Sequence, residues 1–83
     1  MTIIITSYKK PTSTRGARVM AYSPNGPKRT YAWNYALTAE ANHAFAARQY
    51  AHEHHLEGAY VFGEDDKSRM VFIRATDAQV VLV

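Results

Sequence analysis

Ala17-Arg18-Val19-Met20-Ala21-Tyr22-Ser23-Pro24-Asn25-Gly26-Pro27-Lys28-Arg29-Thr30-Tyr31-Ala32-Trp33-Asn34-Tyr35 is the stretch that decides the fold. On its first arm Ala17, Val19 and Ala21 alternate with Arg18, Met20 and Tyr22, the period of two that puts successive side chains on opposite faces of a strand. The centre is a strong turn signal, because Asn-Gly tolerates positive φ and the flanking prolines interrupt ladder hydrogen bonding. On the second arm Tyr31, Trp33 and Tyr35 alternate with Ala32 and Asn34. The reading is an antiparallel hairpin with its return strand over Lys28–Tyr35.

Upstream, Thr2–Tyr8 is rich in β-branched residues and reads as a strand. Its Ile3-Ile4-Ile5 run predicts apolar contact on both faces, as in an interior strand. Lys9-Lys10-Pro11-Thr12-Ser13-Thr14-Arg15-Gly16 then interrupts the pattern. Downstream, Thr38 is the expected N-cap of a helix running to about His55 or Leu56, with Glu40 near the positive end of the dipole. At 100° per residue, Ala39, His43, Ala46, Ala47, Tyr50 and His54 share one side, and Asn42, Gln49 and Glu53 form a polar strip. Ala59–Gly63 and Arg69–Ala75 read as a second hairpin about Glu64-Asp65-Asp66-Lys67, and Ala78–Val83 is a candidate for a last short strand. The expected fold is α+β, a single domain over 1–83: an antiparallel sheet in βββ-α-ββ order with one long helix packed on one face.

Eighty-three residues allow one core, and 47% hydrophobic with 20% charged residues is a globular balance rather than a disordered one. No apolar run is long enough to span a bilayer, so no membrane partner is expected. The N-terminus lacks a basic region and a small-residue cleavage site, so a signal peptide is not expected and an intracellular protein is the natural reading. The absence of cysteine excludes disulfides, thiolate metal sites and a Cys nucleophile.

The charge is unevenly placed. Residues 1–39 carry Lys9, Lys10, Arg15, Arg18, Lys28 and Arg29 with no carboxylate, a local charge of +6, whereas residues 40–83 carry four basic and seven acidic side chains, a local charge of −3. Lysine and arginine neutralise phosphates, and the hydroxyls of Thr12, Ser13 and Thr14 can fix position on them. Tyr8, Tyr22, Tyr31, Trp33 and Tyr35 interleave with these cations, and exposed rings would stack on unpaired bases. The plainer alternative for Tyr31, Trp33 and Tyr35 is the core beneath the helix, which would leave Arg18 and Tyr22 as the surface pair. The candidate nucleic-acid-binding residues are therefore Lys9, Lys10, Arg15, Arg18, Tyr22, Lys28 and Arg29, for DNA or RNA.

The remaining chemistry reads as structural. His52, His54 and His55 crowd a helix C-terminus, where the dipole favours them. Their spacing is not His-Glu-x-x-His, and no third ligand is evident. His43 reads as a hydrogen-bonded core histidine, and Glu64-Asp65-Asp66 as a solvated turn. With no nucleophile elbow and no phosphate-cradling glycine loop, neither enzymatic activity, a metal nor a cofactor is expected.

Thr12-Ser13-Thr14-Arg15-Gly16-Ala17-Arg18, followed by Tyr35-Ala36-Leu37-Thr38-Ala39-Glu40-Ala41-Asn42-His43 and an Ala-rich helix, resembles a group of small uncharacterised bacteriophage proteins. Those share a Thr-Arg-Gly-x-Arg loop and a helix start bearing Asn-His. They carry Gly-Trp after the helix, where this chain has Leu56-Glu57-Gly58. The resemblance implies a phage accessory protein acting in the host cytoplasm, and it singles out Arg15, Gly16, Arg18, Asn42 and His43 as a set. The same basic patch carries a second expectation beside nucleic-acid binding: an inhibitor that occupies an acidic surface, or mimics a partner's contacts, on a host nucleic-acid-processing or defence protein of the restriction or CRISPR kind, with Phe45 as an apolar anchor. The oligomeric state is open, and a homodimer is compatible with the sequence.

Overall fold

Three consecutive isoleucines do place β1 (Ile3–Lys9) at the centre of a sheet. The computed structural model describes residues 2–76 and Leu82. In it β1 pairs antiparallel with β2 (Arg18–Tyr22) on one side and with β5 (Met70–Arg74) on the other. The hairpin partners β3 (Lys28–Ala32) and β4 (Tyr60–Glu64) lie outermost among the described strands, giving the all-antiparallel order β3-β2-β1-β5-β4. Helix α1 (Ala39–Glu53) joins β3 to β4 and packs on one face of the sheet, chiefly over β1 and β2. The architecture is the α+β one that the hairpin patterns imply. The candidate strand at Ala78–Val83 falls outside the described residues apart from Leu82.

Alternation decides which side chains meet the helix. Ile4 and Thr6 of β1, Val19 and Ala21 of β2, and Met70 and Phe72 of β5 point to it and are buried. Ala46, Ala47, Tyr50 and Ala51 face them, and the three alanines let the helix axis lie close to the sheet. Ile3, Ile5, Met20 and Tyr22 occupy the opposite, helix-free face and are only half-buried. The apolar contact on both faces that the isoleucine run predicts is thus complete on one side and partial on the other.

The buried helix face is rotated from the predicted one. Asn42, assigned to a polar strip, is 3% exposed, while Ala39 is exposed and His54 half-buried. The cause is a polar clamp. The Asn42 amide donates to the carbonyls of Asn34 (2.9 Å) and Thr38 (3.0 Å), and its oxygen accepts from the Asn34 N–H at 2.8 Å. Asn34 in turn accepts from the Ala36 N–H through its side chain at 2.9 Å, and its carbonyl accepts from the Leu37 N–H at 3.1 Å. This turn ends β3 at Ala32 rather than Tyr35, because asparagine offers the backbone a competing partner. Trp33 and Tyr31 pack against the core, and Tyr35 is left 78% exposed.

The helix closes earlier than predicted, at Glu53. His55 N–H donates to His52 O (3.4 Å) and Leu56 N–H to Ala51 O (2.7 Å), with His55 at φ 57°. That pair of bonds is the Schellman termination, in which the left-handed residue is usually glycine. At the other end the Thr38 hydroxyl accepts from Ala41 N–H at 3.1 Å, as an N-cap should.

Two turns differ from their sequence reading. Neither Asn25 nor Gly26 has positive φ. Tyr50 reaches up from the helix instead, donating to Pro27 O at 2.8 Å and accepting from Ser23 N–H at 3.2 Å. The second hairpin begins its loop after Glu64, which belongs to β4, and Ser68 supplies the left-handed residue at φ 60°. Asp65 holds that loop, accepting from the N–H groups of Lys67 and Arg69 and pairing with the Arg69 guanidinium at 2.7 Å.

Candidate nucleic-acid interface

The β1–β2 connection and the strand ends that carry it bring four of the predicted cations to one end of the molecule. Lys9 and Arg18 are register partners. Lys9 is in the strand phase of Ile3 and Ile5, and Arg18 in that of Met20 and Tyr22, so both lie on the helix-free face. Lys10 and Arg15 stand on the exposed loop above them. That loop is ordered by a reciprocal pair: Thr12 N–H donates to Arg15 O (2.8 Å) and Arg15 N–H donates to the Thr12 hydroxyl (3.1 Å). Arg18 donates to Gly16 O at 3.4 Å, tying the strand entry to the loop. Among the described residues no ion pair joins any of these four cations to a carboxylate.

The other two cations sit at the far end of β2. Lys28 pairs with Tyr22 on the helix-free face, its ammonium 5.7 Å from the centre of the ring, a cation–π contact. Four residue steps of about 3.3 Å separate Arg18 from Tyr22, so the two basic groups are about 13 Å apart along one strand. Arg29 diverges. It is the partner of Ala21 and projects to the helix side, where its charge acts on Tyr31. Tyr31 donates to the Glu53 carboxylate there; burial first, and then that carboxylate, push the phenol well above its ordinary range. Of the predicted set, then, Lys9, Arg18, Tyr22 and Lys28 share a face, Lys10 and Arg15 overhang it, and Arg29 lies behind it.

Sequence reasoning missed Arg69. Its guanidinium donates to the Tyr22 hydroxyl at 3.1 Å, joining residues 47 apart in the chain. Only the sheet order places β5 near β2, and no local signal announces that. Arg69 is also bound to Asp65, which offsets its charge. The backbone N–H of Arg69 is the main reason the Asp65 carboxyl is held below its ordinary value.

His43 and His54 are engaged within the fold, and His52 contacts a carboxylate at the surface. His43 is 7% exposed and its Nδ1 lies 2.7 Å from the hydroxyl of the fully buried Thr6. Burial lowers its pKa from the usual 6.5, with the Glu64 carboxylate opposing the shift. His52 contacts Glu57 at 3.1 Å, and His54 stacks on Tyr50 with ring centres 4.2 Å apart. Among the described residues no group of three His, Asp or Glu side chains is arranged to hold a metal ion. No described helix is long and apolar enough to cross a membrane. Arg15 and Gly16 are exposed in their loop while Asn42 and His43 are buried, so the set singled out by the bacteriophage resemblance divides into surface and core.

At the same end of the sheet lie three exposed or partly exposed aromatics. Tyr8 is 44% exposed and meets Trp33 edge-on at 4.9 Å, and Tyr35 projects from the turn beyond β3. Tyr8 and Trp33 belong to the helix side of the sheet, flanking the basic loop rather than lying between its cations. No family model, curated protein or solved structure matches this chain.

Proposed function

We propose that this protein is a non-enzymatic nucleic-acid-binding protein that grips phosphates through its β1–β2 loop and the adjoining helix-free sheet face. One observation carries the reading: Lys9 and Arg18 stand side by side beneath the loop bearing Lys10 and Arg15, with no carboxylate paired to any of them among the described residues. Four cations clustered without counter-charges make a local positive field that attracts a polyanion. Lys28 extends that field along β2, and exposed Tyr8 and Tyr35 at the loop end offer rings to unpaired bases. A phage accessory role in the host cytoplasm is the setting that the bacteriophage resemblance suggests for this activity.

Fluorescence polarisation against single- and double-stranded DNA and RNA tests the proposal. Binding at low salt that weakens steeply on Arg15→Ala with Arg18→Ala supports it. If these four cations and Lys28 engage duplex DNA, log K falls against log salt with a slope of about −4.5. No binding at low salt, or binding indifferent to the double substitution, overturns it. Capture of a stoichiometric protein from nuclease-treated host lysate would instead favour the inhibitor reading.

A further inference from the structure

At the end of the sheet where β4 turns into β5, the first turns of α1 face the strand across an open cleft of about 400 Å³. Its walls carry Glu40, His43, Phe62, Glu64, Ser68 and Met70. Glu40 and His43 are three residues apart and share one side of the helix. Phe62 and Glu64 are two apart on β4 and share the helix side of the sheet. Glu64 pairs with Met70 beside the cleft, and β5 runs from there to the opposite end of the sheet, where Arg74 pairs with Tyr60.

His43 gives the cleft a directed donor. It is 7% exposed, and its Nδ1 lies 2.7 Å from the Thr6 hydroxyl. Thr6 is sealed from water and its hydroxyl has Nδ1 as its one partner among the described residues, so the hydroxyl proton goes to Nδ1. The neutral ring then carries its own proton on Nε2. Nε2 has no hydrogen-bond partner among the described residues and is not sealed off, so the exposed part of His43 opens on the cleft that it lines.

The other polar groups supply negative charge. Glu40 and Glu64 are exposed, and among the described residues no ion pair joins either to a cation and no Lys or Arg lines the cleft. Phe62, ordered by stacking on Phe72 with ring centres 5.4 Å apart, adds an aromatic ring, and buried Met70 an apolar floor. Among the described residues these groups are not arranged to hold a metal ion, so the complement of the cleft is an organic cation.

We infer that this cleft binds an arginine residue of a peptide: its guanidinium donates to Glu64 and Glu40 and lies against Phe62, and a neighbouring peptide carbonyl accepts from His43 Nε2. A planar guanidinium meets a carboxylate through two parallel N–H bonds and stacks on aromatic rings, which a lysine ammonium does less well. It has no acceptor of its own, so the His43 N–H calls for a carbonyl on the same ligand. Free arginine would set its own carboxylate against Glu40 and Glu64, which selects an arginine whose carboxyl is in an amide. The cleft lies on the opposite side of the sheet from Lys9, Arg18 and Lys28, so it stands apart from the nucleic-acid reading.

NMR titration of the full chain with N-acetyl-arginine-N-methylamide, up to about 20 mM to capture a weak fragment-sized ligand, tests the inference. Saturable shifts are expected at the His43 ring nitrogens, the Phe62 ring and the Glu40 and Glu64 amides. The citrulline analogue, equal in shape but uncharged, should bind about 10-fold more weakly or worse. Ethylguanidinium, which lacks the carbonyl, should shift Phe62 and Glu64 but leave the His43 ring in place. Glu64→Gln, at an exposed position, should weaken binding about 10-fold, with circular dichroism checking that the fold is kept. No saturable shift in the cleft, equal binding of the citrulline analogue, or full binding by Glu40→Gln with Glu64→Gln overturns the inference. So does tighter binding of guanosine in the same titration, which would assign the cleft to a nucleobase.

Discussion

The hydroxyl of Tyr50 enters the Ser23–Pro27 turn at the point where Gly26 has no side chain; a Cβ on Gly26 would stand 2.9 Å from that oxygen. Tyr50 is 1% exposed and bonded to both ends of the turn, so it has little room to retreat. The β2–β3 hairpin, and with it the position of Lys28, is therefore pinned from below by the helix.

Gly26→Ala is expected to destabilise the protein by about 1 kcal/mol. Displacing the hydroxyl forfeits two hydrogen bonds of about 1 kcal/mol each, offset in part by about 0.4–1 kcal/mol from the stiffer unfolded chain. Tyr50→Phe costs about 2 kcal/mol by orphaning Ser23 N–H and Pro27 C=O. The pair couples, because once the hydroxyl is gone the alanine meets no obstacle. Urea denaturation of the two single variants and the double variant measures this. Additive losses would show that the close approach does not govern Gly26.

Among the described residues, two that are not glycine hold left-handed backbone, His55 at the helix end and Ser68 in the β4–β5 loop. Both sit where these motifs ordinarily use glycine, the Schellman termination and the last position of a three-residue hairpin loop. His55→Gly and Ser68→Gly should each raise stability by about 0.5–1 kcal/mol, since the Cβ penalty at positive φ exceeds glycine's entropic cost. The control is Gln49→Gly inside the helix, which should lower stability by about 0.5–1 kcal/mol. Urea midpoints read all three, and a loss of stability at His55→Gly would mean that the imidazole contributes more than its backbone strain costs.

His43 makes stability depend on pH near neutrality. Its folded pKa is lowered from the usual 6.5 by burial, so the unfolded chain binds the proton more readily than the native one. Its contribution is complete above pH 6.5, declines as pH falls through the lowered folded value, and levels off below it. The steepest loss a single group can cause is about 1.4 kcal/mol per pH unit. His43→Gln can keep a bond to Thr6 while removing the titration. Its stability profile should be flatter than that of the unsubstituted protein below pH 6.5, and identical slopes would remove His43 from the account.

The five described strands, the order of elements and the helix N-cap are legible in the chain because period-two alternation and Thr38 are local signals. What escaped is non-local. Asn42 looks polar on a helical wheel, and only the turn that folds back over the helix start makes it a buried clamp. Tyr35 continues the alternation of Tyr31 and Trp33, yet Asn34 has already diverted the backbone. The basic residues were visible as a list, but their division was not. Strand phase places Lys28 on one face and its neighbour Arg29 on the other, and that phase depends on pairing with β2. Arg69 joins Tyr22 only through the sheet order.

That division gives the proposed binding activity a graded signature in salt. Each cation that neutralises a phosphate of duplex DNA contributes about 0.9 to the slope of log K against log salt. Lys9→Ala with Arg18→Ala should therefore flatten the slope by about 1.8, and Lys28→Ala by about 0.9. Arg29→Ala should leave it unchanged, because Arg29 projects to the helix side beside Tyr31 and Glu53. Titrations between about 50 and 200 mM salt span enough of the dependence to separate these values. Equal effects from Lys28→Ala and Arg29→Ala would mean that the polyanion wraps the β3 edge instead of lying across the helix-free face, and no effect from Lys9 and Arg18 would withdraw the binding site from the β1–β2 end altogether.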